Sequence, residues 1–217
     1  MTSAEAPEET RTPRVRMTGT ERRQQLLDVA KTLFAEKGFE GTAIEEVASR
    51  AHVSKPVVYE HFGGKEGLYA VVVDREMRTL LSRLTSSLTG AENHPRVLVE
   101  QAALALLGYI EDESAGFRIL VRESPVGMTT GSYSSLISDM ASQVEYVLAN
   151  EFKTRGYDTK LAGLYSQALV GMVALSGQWW LDARKPKREV VAAHLVNLAW
   201  NGLSNLHPKP ELTTKHD

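Results

Sequence analysis

Residues 42–65 read TAIEEVASRAHVSKPVVYEHFGGK, and the reading of this stretch decides the fold. Thr42 is followed three residues later by Glu45, the spacing of a capping box. Ile44, Val47, Ala48 and Ala51 then recur at i, i+3, i+4 and i+7, one apolar face of a helix. Ala48 is small where a second helix has to approach closely. Ala51-His52-Val53 makes a short turn, and Ser54 can cap a second helix. Pro56 falls in that helix's first turn, where a missing N–H costs little. Val58 and Phe62, one turn apart, face inward with Val53. Gly63-Gly64 ends the helix, and Lys65 opens the next one.

This leaves Lys55, Val57, Tyr59 and His61 toward solvent or a ligand. A helical hairpin of any kind fits two short helices and a turn, and a solvated face would also carry charge. A solvated face has no use for an exposed Tyr and Val, however. Lys, Tyr and His side chains are donors suited to phosphate oxygens, and Lys55 can also reach guanine edges. The stretch therefore reads as a helix-turn-helix presenting its second helix to the major groove of DNA.

Residues 22–69 resemble the DNA-binding domain of TetR-family transcription regulators. The matching positions are Leu26-Leu27, Leu33-Phe34, Gly38-Phe39, Thr42, Val47-Ala48, Val53-Ser54-Lys55, Tyr59, His61-Phe62, Lys65 and Leu68-Tyr69. The resemblance implies groove contacts from Lys55, Val57 and Tyr59. It implies phosphate contacts from Thr42, Tyr59, His61 and Lys65, and Ser54 joins the DNA-binding set. His52 departs from the family pattern, which has glycine in the turn. His tolerates positive φ better than most residues, so a small loss of stability and the same fold are expected.

The chain has 217 residues, which suits one domain or a small domain fused to a larger one. Hydrophobic residues make up 42%, enough for a substantial core. The absence of cysteine excludes disulfides, thiolate metal sites and cysteine nucleophiles. The N-terminus is acidic and polar with no apolar signal segment, so a cytoplasmic setting is expected. The net charge of −2 hides an uneven distribution. Arg11, Arg14, Arg16, Arg22 and Arg23 precede the helix-turn-helix, Arg50, Lys55 and Lys65 lie within or beside it, and Glu45, Glu46 and Glu60 oppose them. A compact basic patch follows, with no broad basic surface.

The expected organisation is all-α, with an N-terminal three-helix DNA-binding domain and an α-helical ligand-binding and dimerisation domain. Residues 1–19 read as a disordered tail, 20–65 as the DNA-binding domain, 66–207 as the body and 208–217 as a C-terminal tail. Thr20 is the expected cap of the first helix, whose buried face is Leu26, Leu27, Ala30, Leu33 and Phe34. A helix over 65–87 carries the stripe Tyr69, Val73, Met77, Leu80 and Leu84 and links head to body. Residues 97–110 are apolar nearly all round, which marks a buried helix. Helices over 114–122 and from Tyr133 to near Gly156 follow, with a break at Pro125-Val126-Gly127 between them.

Residues 161–181 carry no charge and are followed by Arg184, Lys185, Lys187 and Arg188. Taken alone, this stretch satisfies a membrane span, and a membrane protein is the alternative from another class. Gln167, Gln178, Ser166 and Ser176 interrupt it. A helix buried on two faces, by its own core and by a second subunit, would also be uncharged. With a last helix from Val190 to Leu203 it can form a symmetric four-helix interface, so the preferred reading is a homodimer with no membrane partner. This also resembles how the TetR family dimerises. A two-fold protein favours a palindromic double-stranded operator.

No catalytic constellation is found: the histidines are scattered without ligand spacing, and no phosphate loop or nucleophile elbow occurs. No enzyme, metal or cofactor is expected. The resemblance implies an effector pocket in the body, and an apolar one suits a hydrophobic small molecule. Its candidates are Leu104, Phe117, Leu120, Tyr133, Ile137, Met140, Tyr165, Leu169, Met172 and Trp179, each of which also fits ordinary core. The family more often represses. Segments 114–118, 178–182 and 198–203 are also similar to actinobacterial regulators of fatty-acid synthesis. That resemblance implies an activator of lipid genes responding to long-chain acyl-CoA, with Arg118 or Arg122 at the head group.

Overall fold

The computed structural model describes residues 17–88, 94–122 and 133–211. The arginines of the N-terminal tail, the break at Pro125-Val126-Gly127, the side chain of Tyr133 and the end of the C-terminal tail lie outside the described residues. Helix α1 (Gly19–Lys37) starts from a capping box at Thr18, not at the expected Thr20. The Glu21 amide donates to Thr18 Oγ1 at 3.2 Å, and the Thr18 amide donates to Glu21 Oε2 at 2.7 Å. Thr18 wins because its partner three residues on is a carboxylate, whereas Thr20 would face Arg23. Gly38 ends the helix at φ 74°, a conformation that costs glycine nothing.

Helix α2 (Ile44–Arg50) is capped by the backbone of Ala43, with no side-chain cap. The capping box expected at Thr42 and Glu45 does not form. Thr42 is only 2% exposed, and its hydroxyl donates back to Gly38 O at 2.8 Å and Leu33 O at 3.3 Å. His52 takes φ 55° in the turn, the conformation for which glycine is the usual residue. Helix α3 (Lys55–Phe62) follows Ser54, whose backbone caps it. These helices close over Leu26, Leu33, Phe34, Val47 and Val58, joined by Leu68, Tyr69 and Val72 of α4 (Lys65–Leu88).

The body holds α5 (Pro95–Asp112), α6 (Ser114–Val121), α7 (Tyr133–Arg155), α8 (Ala162–Ala183) and α9 (Arg188–Ser204). A short 3-10 turn at Thr159–Leu161 precedes α8, capped by the Asp158 carboxylate. The described residues contain no strand. Its core gathers Leu80 and Leu84 of α4 with Leu106, Leu107, Tyr109 and Ile110 of α5, Phe117 and Leu120 of α6, and Trp180 and Leu181 of α8. Helix α6 serves both cores: Phe117 and Leu120 point into the body, and Ile119 points into the head.

Helix α8 buries Ala162, Ser166, Val170, Ala174 and Gly177, a stripe at four- and three-residue spacing. Gly177 lets α8 close on α5: a Cβ there would lie 2.9 Å from Ile110 Cδ1. Among the described residues no helix is long and apolar enough to cross a membrane, which overturns the span read over 161–181. Small and hydroxyl residues on its inner face dilute its hydropathy because they serve helix–helix approach. The Trp180 indole donates to Pro186 O at 2.8 Å, and Arg184 donates to Ile110 O at 3.0 Å, so the α8–α9 turn is tied to the core.

Leu107 is fully buried at the centre of the body. Leu107→Ala is expected to lower stability by about 2–5 kcal/mol, a large-to-small change in a packed core. Urea unfolding would show a lower midpoint with an unchanged slope.

Candidate nucleic-acid interface

The stretch 54–65 forms one edge of the head. The Ser54 carbonyl accepts from the Val57 amide at 3.1 Å and its hydroxyl makes no cap bond, so that hydroxyl stands free at the start of α3. Lys55 and Tyr59 lie one turn apart and exposed, Tyr59 at 45%, with the ammonium 5.7 Å from the ring centroid. Gly63, in the left-handed conformation, sends its amide back to Tyr59 O at 2.8 Å and ends the helix. Val57 is half-buried and packs on the head core, whereas the sequence places it outward. A helix as short as α3, docked on one side, leaves only a narrow arc for outward side chains.

The other expected contacts sit differently. The His61 ring is half-buried, 6.0 Å from the Phe62 ring. Lys65 opens α4, its ammonium 4.5 Å above the Phe39 ring and donating to Glu40 O at 3.2 Å. Thr42 stands apart from this edge, because its hydroxyl is engaged inside the head.

Two residues outside the DNA-contact set read from the sequence act on α3. Arg23 of α1 donates to His61 O at 3.1 Å and stacks 4.5 Å over the Phe62 ring. A guanidinium at the last carbonyls of a helix complements its dipole, so Arg23 holds the C-terminal end of α3. Glu45 of α2 forms an ion pair with Lys55. The Lys55 hydrogen bond holds the Glu45 carboxyl below the usual carboxylate range, and the same contact raises Lys55. Glu46 is held by Lys37 and Arg50, so the acidic residues of α2 are internally paired. Nothing local in the sequence signals that Glu45 meets Lys55.

The residues expected to line an effector pocket differ in burial. Phe117 and Leu120 are buried in the body core. Leu104, Ile137, Met140, Leu169 and Met172 are half-buried, and the Tyr165 ring packs edge-on against Phe152 at 5.4 Å. Trp179 is 60% exposed on the outer face of α8. A hollow of about 300 Å³ lies where α1, α4 and α6 meet, lined by Phe34, Phe39, Tyr69, Ile119 and Arg122 among others. A shallower one beside Leu104 is bordered by Gln101 and Arg188. Arg118 is ion-paired with Asp182, and Arg122 donates to Phe34 O at 3.3 Å.

A short helix with outward donors, braced on a compact helical head, defines a helix-turn-helix DNA-binding protein. Residues 26–72 match the model of bacterial regulatory proteins of the tetR family, and residues 83–213 match the tetracyclin repressor-like C-terminal domain. The second match alone covers more than half of the chain, and the protein belongs to the TetR family of transcription regulators. It is similar to the HTH-type transcriptional activator FasR of Mycolicibacterium smegmatis, with 29% identity over 202 residues, 88% of this chain and 87% of that one. The HTH-type transcriptional regulator BetI of Burkholderia cenocepacia shares 36% identity over 75 residues, 35% of this chain and 39% of its own. The crystal structure of a TetR-like transcriptional regulator from Rhodococcus sp. RHA1 superposes with a TM-score of 0.70 at 25% identity, covering 88% of this chain and 100% of that one. The chain is thus a DNA-binding regulator and not an enzyme.

Glu45→Gln frees the Lys55 ammonium for phosphate. Binding to non-specific duplex DNA should tighten, and the slope of log K against log salt should steepen by up to about one, measured by fluorescence anisotropy across a salt series. The pair also sets a pH sense: with the Glu45 carboxyl lowered, the contact persists at neutral pH and is lost as pH falls through that lowered value.

Proposed function

We propose that the protein is a ligand-responsive transcription regulator that binds a palindromic operator as a homodimer in the cytoplasm. In this reading Lys55 and Tyr59 of α3 enter the major groove, Ser54, His61 and Lys65 contact phosphates, and Val57 braces α3 on the head core. Thr42 supports the edge from within by pinning the loop before α2. Dimerisation through α8 and α9 would bring two α3 helices to successive grooves.

The observation that carries the dimer is an uncovered apolar face. Leu164, Leu175 and Trp179 of α8 are exposed, at 66%, 66% and 60%, and Val190 and Leu198 of α9 are also exposed. Leu164, Leu175 and Trp179 fall on one side of α8, opposite its buried stripe. Such a face on a water-soluble helix marks an interaction surface, and two-fold pairing is its commonest solution. This also favours Trp179 as an interface residue over a pocket residue.

An effector acts by binding one spacing of the heads better than another, which shifts the population toward or away from DNA. The half-buried Leu104, Ile137, Met140, Tyr165, Leu169 and Met172 suit a hydrophobic ligand. Repression is the family's more frequent mode. A second reading, activation of lipid genes in response to long-chain acyl-CoA, extends the resemblance to regulators of fatty-acid synthesis and draws on a relative, matched over 88% of this chain, that is named as a transcriptional activator.

Leu175→Glu with Trp179→Glu should convert a two-chain species into a folded monomer in sedimentation equilibrium. The same variant should lose at least about tenfold in operator affinity, because a single head makes few base contacts. A mass of two chains in the double variant would sink the α8–α9 interface. Long-chain acyl-CoAs should raise the melting temperature and also change DNA affinity; a ligand that does neither is not the effector.

A further inference from the structure

Among the described residues Glu76 is the one buried carboxylate, 2% exposed. It lies on the stripe by which α4 packs, between Val72 and Leu80, at a position where the neighbours are apolar. Groups from both halves of the molecule converge on it. Lys31 of α1, in the head, places its ammonium 2.9 Å from Glu76 Oε2. Tyr109 of α5, in the body, donates its hydroxyl to the same oxygen at 3.2 Å. Arg75 reaches Glu76 Oε1 at 3.3 Å and extends to Asp28 of α1 at 2.8 Å. Lys31 is also 2.6 Å from Glu113, at the turn between α5 and α6.

The space for this carboxylate is provided by Gly116 of α6. A Cβ there would lie 2.1 Å from Glu76 Oε2 and 2.7 Å from the Tyr109 hydroxyl. Any other residue at 116 would push α6 away from α4 or displace the carboxylate. Burial, with the Glu76 charge second, drives the Tyr109 pKa upward, so the hydroxyl stays protonated and remains a donor.

Apolar contacts between head and body tolerate a small tilt, because dispersion is non-directional and many rotamers repack. A buried carboxylate does not. If the head rotates and Lys31 withdraws, the charge is left desolvated with fewer partners, which is strongly unfavourable. The pose in which Lys31 and Tyr109 both reach Glu76 is therefore singled out from neighbouring poses. We propose that Glu76 is a positioning residue for DNA recognition: by binding Lys31 of the head and Tyr109 of the body together, it sets the angle at which α3 is presented. The function assigned to it rests on α3 as the DNA-reading helix, whereas the joint itself does not.

The chain has no cysteine, so two introduced thiols are its only ones. Nitroxides at Ser49→Cys in the head and Ser142→Cys in the body, both exposed, report the head–body distance by electron–electron double resonance. Labelled full-length chain is diluted into unlabelled chain so that only distances within one chain are read. DNA affinity is measured on a duplex selected from a random pool by the unaltered protein. Glu76→Gln is expected to keep its helix content by circular dichroism, broaden the distance distribution and weaken binding by roughly tenfold, the scale of coupling within one ion-pair network. The salt slope should stay unchanged, because no phosphate contact is removed.

Lys31→Met combined with Glu76→Gln leaves neither charge of the pair orphaned. It should broaden the distribution likewise while losing less affinity than the two single changes together, and it decides the matter if Glu76→Gln alone does not fold. A distance distribution as narrow as that of the unaltered chain in these folded variants overturns the proposal. So does a salt slope reduced by a full contact, which would place the cluster in the DNA interface itself. If the pool yields no selected duplex, the DNA-reading assignment of α3 fails, and the distance measurement alone still decides whether Glu76 holds the joint.

Discussion

Three helices, two of them short, cannot bury enough apolar surface to stand alone, and the whole architecture follows from how the head makes up the deficit. Small domains bury a low fraction of their surface and are marginal by themselves. Here α4 contributes Leu68, Tyr69 and Val72 to the head and then Leu80 and Leu84 to the body. Helix α6 adds Ile119 to the head while its Phe117 and Leu120 enter the body. The head is thus completed by residues that belong to the regulatory half. A change in body packing that moves α4 or α6 necessarily moves part of the head's own core, so coupling between the halves is a consequence of folding at this size.

Electrostatics refine this arrangement without supplying a broad field. Around α3, Lys55 is matched by Glu45 and Lys65 by a main-chain carbonyl, and Arg23 is committed to the end of the helix. The Lys55 and Lys65 contacts are exposed and weak in water, so a phosphate can compete for these cations at modest cost. The junction is different in kind. Glu76 and Lys31 are sheltered, where unpaired charge is far less tolerable. Weak exposed pairs suit exchange with DNA, and sheltered pairs suit holding a pose.

Much of the helical framework was legible in the residues. Apolar periodicity placed each helix of the head and the linking helix closely, with the stripe from Tyr69 to Leu84, because a helix face repeats within a few residues. The turn at His52 and the stop at Gly63 were legible for the same reason: a backbone preference is local. Caps were less secure. Thr20 and Thr42 both had the right residue type, yet Thr18 and not Thr20 had a carboxylate three residues on, and α2 starts from Ala43 while the Thr42 hydroxyl donates back to the Leu33 and Gly38 carbonyls. The uncharged stretch at 161–181 mimicked a membrane span because lipid and protein interiors both exclude charge. Glu76 did leave a signal, a carboxylate on an otherwise apolar stripe, but its meaning required knowing what faced it.

The sequence by itself determined the helices, the helix-turn-helix and the family, since these depend on periodicity, turn chemistry and short spacings. Only the tertiary structure decided which donors are free and which are engaged. Val57 turned inward and Thr42 closed on the backbone, while the exposed apolar face of α8 and α9 stayed uncovered. Lys31 and Glu113 meet across 82 positions of chain. No local pattern encodes such a contact, because it arises when separately specified helices pack and their side chains fall within reach of one another.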